Sequence, residues 1–388
     1  MEITGGIEAA ARRIGLRARG GSSLSFAHPG LALRFLDDSG RSAPVPLLGM
    51  KPGADWVLSA PDPRLDPTLL ANQFAWEMIR SAGHWAPDWR FARVRVGWKS
   101  GEDRALRIVS ERVDAARLGV RPLAQDGSSG GWLLQVNRRD PVTVDGLPPR
   151  FFHTPGRNGK PESIPDARRG GDDLPEGYAS VINFESPDGP EITAEQRGRI
   201  EREVAELEAG LFSGQVGRGN PAEPARRSEA HPAGSPYLDE TAWTDAWWLN
   251  ELCATPEFAR FNLWIFRTDG RAPVACFAAW DFDRAFQGAP EEDAQRLSER
   301  FWFAAMREDP EWRSRMDRRW RELRSGAWSD GSIRERISAL VEKSGPDAPA
   351  DEHERKVGEW RAWILRRAAW LDRLTASDSG QTPRRGSS

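Results

Sequence analysis

DPTLLANQFAWEMIRSAG, residues 66–83, is the stretch on which the reading of the fold turns. Leu70, Phe74 and Met78 recur at four-residue spacing, Pro67 suits a first helical turn, and Asp66 is placed to cap it. The stretch therefore predicts a helix. The neighbouring stretches have a different character. Upstream, GLRARGG (15–21), LALRFLDD (31–38) and PVPLLGM (44–50) are short β-type runs broken by turns. Downstream, WRFARVRVGW (89–98), ALRIVSERV (105–113) and GWLLQVN (131–137) are strand candidates. The first third predicts an antiparallel-looking sheet with one long helix against it.

Beyond residue 137 the pattern changes. The region 138–190 is rich in Pro, Gly, Arg and Asp and reads as loops. Thr193-Ala194-Glu195-Gln196 is a capping-box pattern, and Ile200, Val204, Leu207 and Leu211 fall on one face of the helix it starts (193–212). Residues 214–236 are breaker-rich and predict a linker. A helix through 241–252, two short strands (260–267 and 274–283) and a largely helical remainder to about 375 follow. In the last helix Val357, Trp360, Ile364 and Leu371 line one face, while DSGQTPRRGSS (378–388) has nothing apolar to bury and predicts a disordered tail. A β-rich first part and a helical second part make a two-lobed α+β arrangement, with a cleft between lobes as the natural ligand site.

Composition narrows the function. Lys+Arg is 55 and Asp+Glu 58, giving a net charge of −3, so no general electrostatic drive toward nucleic acid or an anionic membrane exists. No apolar run approaches a bilayer span, and the start MEITGGIEAAARRIG lacks the basic flank and apolar core of a secretory signal. The default expectation is a soluble cytoplasmic protein. Cys253 and Cys276 are too few for a disulfide framework or a four-cysteine zinc site, and both lie in apolar stretches that suit ordinary core residues. The five histidines show no ligand spacing, and no G-x-S-x-G elbow or Walker loop is present. The Trp-rich stretches 243–248, 302–328 and 360–370 have helical spacing, which predicts buried faces.

Three local features carry chemistry. Trp280-Asp281-Phe282-Asp283 ends an apolar strand, and an extended exit would set Asp281 and Asp283 on one side, suited to a hard cation such as Mg²⁺; the competing reading is a plain Asp turn. Upstream, Glu257 precedes Asn262 by five residues, the spacing of the catalytic-loop acid and metal-binding Asn of protein kinases. A solvated helix-end Glu and a strand-edge Asn explain the same residues. Arg17-Ala18-Arg19-Gly20-Gly21-Ser22-Ser23 combines guanidiniums with glycines in the manner of a phosphate cradle, although a turn between strands needs glycines as well.

The ordered series RARGGSSLSF (17–26), VPLLGMKPGADWVLSAP (45–61), LLANQFAWEMIRSAG (69–83), RIVSERV (107–113), GGWLLQVNR (130–138), WWLNEL (247–252) and WDFDRAF (280–286) resembles the CotH family, the spore-coat-protein-H type of kinase. DPEWRSRMDRRWRELR (309–324) and WRAWILRRAAWLDRL (360–374) also fit, so the resemblance spans roughly 14–375. It implies an atypical protein-kinase-like two-lobed fold over 1–375, with a β-rich N-lobe (1–137), loops and linker (138–236), a helical C-lobe (237–375) and a tail (376–388). It further implies ATP and Mg²⁺ (or Mn²⁺) as cofactors and serine or threonine of a partner protein as acceptor.

By position, the resemblance assigns Asp281 and Asn262, with Asp283, to the metal and Glu257 to the acceptor hydroxyl. It sets Glu77 as the acidic partner of an ATP-contacting basic residue, Glu111 in the nucleotide cleft, and Arg17 and Arg19 near the phosphates. Departures from the family pattern bear on activity. Where relatives carry a lysine pair the chain reads Phe26-Ala27-His28-Pro29, and no lysine precedes Lys51. Glu257 stands for the usual Asp, and Asn137 for an Asp after G-G-[FY]-L-L-E. The alternative implied by these changes is a pseudokinase that scaffolds without transferring phosphate; a metal-dependent activity on a small molecule or glycan comes third.

Overall fold

The computed structural model describes residues 2–4, 12–20, 24, 26–60, 62–98, 101–137, 149–156, 181–188, 192–213, 218–219, 237–256, 258–259, 261–291, 301–344 and 350–377. Within them lie two sheets and seven α-helices, with the first sheet in the N-terminal part and most helices after it. The α+β expectation is borne out.

The first sheet is antiparallel throughout. It comprises β1 (Glu2–Thr4), β2 (Arg13–Arg19), β3 (Gly30–Leu36), β4 (Asp55–Ser59), β5 (Trp89–Trp98) and β6 (Gly101–Glu111), in the order β1-β5-β6-β4-β3-β2. Period-two alternation buries Leu31, Leu33 and Phe35 of β3 with Val94 and Val96 of β5 in a small core of their own. PVPLLGM is not a strand. Pro44 and Pro46 have no N–H to give a ladder, Leu48 and Gly49 take left-handed turns, and Leu47 and Met50 fold onto this core.

The second sheet comprises β7 (Trp132–Asn137), β8 (Phe151–His153), β9 (Val181–Ser186), β10 (Arg218–Gly219), β11 (Leu238–Asp239), β12 (Leu263–Arg267) and β13 (Val274–Phe277), ordered β10-β11-β13-β12-β7-β9-β8. Two findings differ from the sequence reading. β7 pairs with β12 rather than with the first sheet, and the presumed loop region 138–190 supplies β8 and β9. The rest of that region lies largely outside the described residues, as do most of 214–236 and all of 378–388.

The helix of 66–83 is α1 (Ala71–Ser81) and starts five residues late. Asp66 holds the turn ahead of it, its carboxylate accepting the N–H groups of Thr68, Leu69 and Ala71. Leu70, Phe74 and Met78 are fully buried, as their spacing predicts. Their main partners are the later helices, with Trp328 donating its indole N–H to Met78 O at 3.0 Å, while Trp89 and Ile108 of the first sheet join the same core. The capping box holds in both directions at α2 (Ala194–Ser213), with Gln196 N to Thr193 Oγ1 at 3.1 Å and Thr193 N to Gln196 Oε1 at 3.0 Å. α3 (Glu240–Cys253), α4 (Phe301–Glu308), α5 (Pro310–Ser325), α6 (Asp330–Ser344) and α7 (Ala350–Ser377) complete the fold. Their tryptophans, from Trp243 to Trp363, are buried. Cys253 and Cys276 are buried free thiols of the main core. No helix among the described residues is long and apolar enough to cross a membrane.

Candidate functional site

β13 ends at Phe277, three residues before Trp280, so the extended exit expected for 274–283 does not form. Asp281 instead takes a left-handed conformation (φ 64°) and starts a single 3₁₀ turn, Phe282–Arg284. Strand alternation therefore does not set Asp281 and Asp283 side by side. Asn262, at the entry to β12, is left-handed too (φ 59°). Non-glycine residues in this region are uncommon, Asn and Asp are the best tolerated, and such strain collects at functional sites. Here both lie at one point: Asn262 Nδ2 donates to Asp281 Oδ2 at 3.1 Å. Asp281 does not cap its own 3₁₀ turn, and its side chain is exposed.

Two residues of α1 hold this turn. Asn72 Oδ1 accepts the N–H of Phe282 at 3.0 Å, and Trp76 Nε1 donates to Ala279 O at 2.7 Å. Trp280 lies between Trp76 and Trp264, with ring centroids 6.2 and 5.5 Å away. The Arg19 guanidinium, from the end of edge strand β2, sits 5.5 Å from the Trp280 ring centroid, a cation–π distance. Burial lowers the Arg19 pKa, and the facing Asp281 carboxylate opposes that shift. Arg17, Arg112 and Glu185 contribute to the same local field, and Arg112 donates to Glu185 at 2.9 Å. Arg19 of the first sheet is thus brought beside Asp281 and its partner Asn262.

The other predicted residues are placed as follows. Arg17 is exposed one pleat from Arg19 on β2. Asp283 is half-buried in the 3₁₀ turn. Glu77 pairs with Arg80 at 2.7 Å and accepts the Trp89 indole at 3.4 Å, so the α1 residues that reach the Asp281 turn are Asn72 and Trp76. Glu111 is buried, accepts the Asp88 N–H at 3.0 Å and pairs with Arg117, and burial raises its carboxyl pKa despite those partners. Glu257 lies outside the described residues; its neighbours Phe258 and Ala259 are buried. His28 bonds Asp103 at 2.6 Å, at the opposite end of β6 from Glu111.

Sequence reasoning missed Asn72, Trp76, Arg112 and Glu185. Asn72 and Trp76 were visible as the polar and aromatic positions of a helix otherwise read for its apolar stripe. Arg112 and Glu185 carried no local signal.

An exposed carboxylate hydrogen-bonded to an amide supplies oxygen donors of the hard type that Mg²⁺ takes, and the guanidinium facing them suits the phosphates such an ion accompanies. The donor set fits the group. Among the described residues no three His, Cys, Asp or Glu gather into a cluster, so the candidate set is this mixed amide–carboxylate one. Residues 16–163 match the family model for CotH kinase protein. No curated protein matches the chain.

Proposed function

We propose, from the match of residues 16–163 to the family model for CotH kinase protein, that the chain is a CotH-type, ATP- and Mg²⁺-dependent phosphotransferase acting on serine or threonine of a partner protein. In this reading Asp281 and Asn262 hold the metal, with Asp283 as a further carboxylate, and Glu257 orients the acceptor hydroxyl. Mg²⁺ bound there neutralises charge on the nucleotide phosphates. Arg19 supplies the cation that grips the phosphates, in place of the lysine that relatives carry in the following segment. Arg17 adds charge at the mouth. Asn72 and Trp76 fix the turn in which Asp281 is presented.

The observation that carries the reading is the meeting of Arg19 with Asp281 and Asn262. These come from β2, the 281–284 turn and the entry to β12, and phosphoryl transfer needs little more than such positioned charge. The alternative, a scaffold that keeps the fold without transfer, is favoured by one observation: His28, where relatives carry the lysine pair, is engaged by Asp103.

The test is thermal unfolding with ATP and Mg²⁺ or Mn²⁺, with Asp281→Asn as control. A ligand at a hundred times its Kd stabilises by about 2.7 kcal/mol. A metal-dependent shift lost in the variant, followed by labelled phosphate transfer to a serine-bearing partner, supports the kinase. A shift without transfer selects the scaffold. No shift at millimolar ATP overturns the nucleotide site.

A further inference from the structure

A cavity of about 250 Å³ lies behind the β12–β13 hairpin, away from the exposed Asp281 side chain. Its walls are mostly apolar, from Ile79 at the end of α1 through Trp85 and Leu118 to Phe266 and Phe277 of the hairpin. Trp85 and Phe277 meet edge to face at 5.1 Å. We propose that this cavity is a binding site for a small neutral aromatic molecule bearing one hydrogen-bond donor, a phenol or an indole.

Size sets the first limit. A dry cavity of about 150 Å³ accommodates benzene, so this one takes one or two fused rings. Edge and face contacts with Trp85, Phe266 and Phe277 favour an aromatic body over an aliphatic one of equal volume.

His84 sets the polar end. Asp245 is fully buried and accepts two N–H bonds from Arg319, each 2.8 Å. His84 Nε2 lies 2.8 Å from the same carboxylate, so that nitrogen carries the proton. Nδ1 has no hydrogen-bond partner among the described residues, and in the neutral ring with its proton on Nε2 it is an acceptor. His84 lines the cavity and is about a fifth exposed. A ligand O–H or N–H completes it. Asp239 also lines the wall, and its negative charge disfavours carboxylate or phosphate ligands.

The chain that leaves β13 runs through Ala278 and Ala279, both in the cavity lining, to Asp281. An occupant is therefore placed to bias the turn that α1 holds through Trp76 and Asn72. The binding proposal itself does not depend on phosphate transfer.

Cys276 lines this cavity whereas Cys253 is buried elsewhere in the core, which supplies a built-in reporter. The full chain is treated with methyl methanethiosulfonate with and without indole, phenol, toluene or benzoate, and each cysteine is followed by peptide mass spectrometry. Unfolding midpoints are measured in parallel. At ten times Kd, indole or phenol should slow Cys276 labelling about tenfold, leave Cys253 unchanged and raise the midpoint. Toluene should protect less, benzoate not at all. His84→Phe should erase the preference of phenol over toluene, and Ala246→Leu, which fills the cavity, should erase protection. An unchanged midpoint together with unchanged labelling overturns the site. Equal protection by toluene and phenol in the unaltered chain overturns the role of His84.

Discussion

The side-chain oxygen of Asn72 accepts the backbone N–H of Phe282 at 3.0 Å, joining residues 210 positions apart. Phe282 follows Asp281, the left-handed residue whose carboxylate the proposed chemistry needs. With Trp76 Nε1 on Ala279 O, the bond makes α1 the clamp of the turn from both sides. A helix in the N-terminal part thereby sets the geometry of a carboxylate in the C-terminal part. The clamp has measurable consequences.

Asn72→Ala leaves the Phe282 N–H without its acceptor and should destabilise the fold by about 1 kcal/mol, the usual net value of one hydrogen bond. Trp76→Phe keeps much of the ring but loses the bond to Ala279, with a similar loss. Urea denaturation reads both. The sharper expectation is functional: either variant should reduce the Mg²⁺-dependent nucleotide shift by more than its stability loss explains. A variant equally destabilised at a site remote from this turn serves as the comparison. Equal reductions would mean that α1 does not govern the Asp281 geometry.

Asp281 itself separates charge from backbone. Its φ of 64° suits Gly, Asn and Asp and penalises a β-branched side chain by roughly 1–2 kcal/mol. Asp281→Asn should therefore fold with nearly unchanged urea stability while abolishing metal-dependent binding. Asp281→Val should lose both. An Asp281→Asn protein that still binds Mg²⁺–ATP as tightly would remove Asp281 from the metal site.

How much of this was legible in sequence depends on the range of the forces involved. β5, β6 and β7 carry their own alternation, and α2 carries its own capping box, so a local reading places them closely. Asp281, Asn262 and Arg19 were named as candidates from motif and resemblance. What sequence could not give was their mutual placement. The left-handed turn at Asp281 is held by Asn72 from another element, so a local rule predicted a strand exit there. β9 was missed because VINFES is a short run beside breaker-rich stretches, and its pairing to β7 is a long-range event. β7 was expected with the first sheet because nothing local distinguishes one edge partner from another. The resemblance assigned Glu77 to an ATP-contacting basic residue, yet its carboxylate pairs with Arg80.

Arg19 and His28 make opposite predictions. Removing a charge-assisted contact to phosphate costs about 1.5–3 kcal/mol. Arg19→Met should therefore weaken nucleotide binding by one to two orders of magnitude, and Arg19→Lys should recover only part, since a point charge does not reproduce the planar fork. His28→Lys keeps an ion pair with Asp103 and should leave the affinity within about twofold. Titration calorimetry with Mg²⁺–ATP decides. A large gain from His28→Lys would move the phosphate-gripping position away from Arg19.

Glu203 tests the electrostatics of the second sheet rather than the cleft. Its carboxylate accepts Trp132 Nε1 and Arg199 Nε, each at 2.8 Å, and lies 3.0 Å from Arg267, which is 1% exposed. Burial alone would raise its pKa, but the two hydrogen bonds and the two guanidiniums outweigh burial and hold it below its ordinary 4.5. A carboxyl depressed in the folded state stabilises fully above its unfolded pKa, and that contribution fades as pH falls through the folded value. Glu203→Gln strands the buried Arg267 and should cost about 3–5 kcal/mol near neutral pH. The difference should begin to narrow below pH 4.5, where the unfolded chain takes up the proton first, and narrow further as pH falls through the depressed folded value. Urea midpoints measured from pH 7 to pH 3 read this directly. A difference that stays constant across that range would mean the loss comes from packing around Trp132 and not from the charge on Glu203.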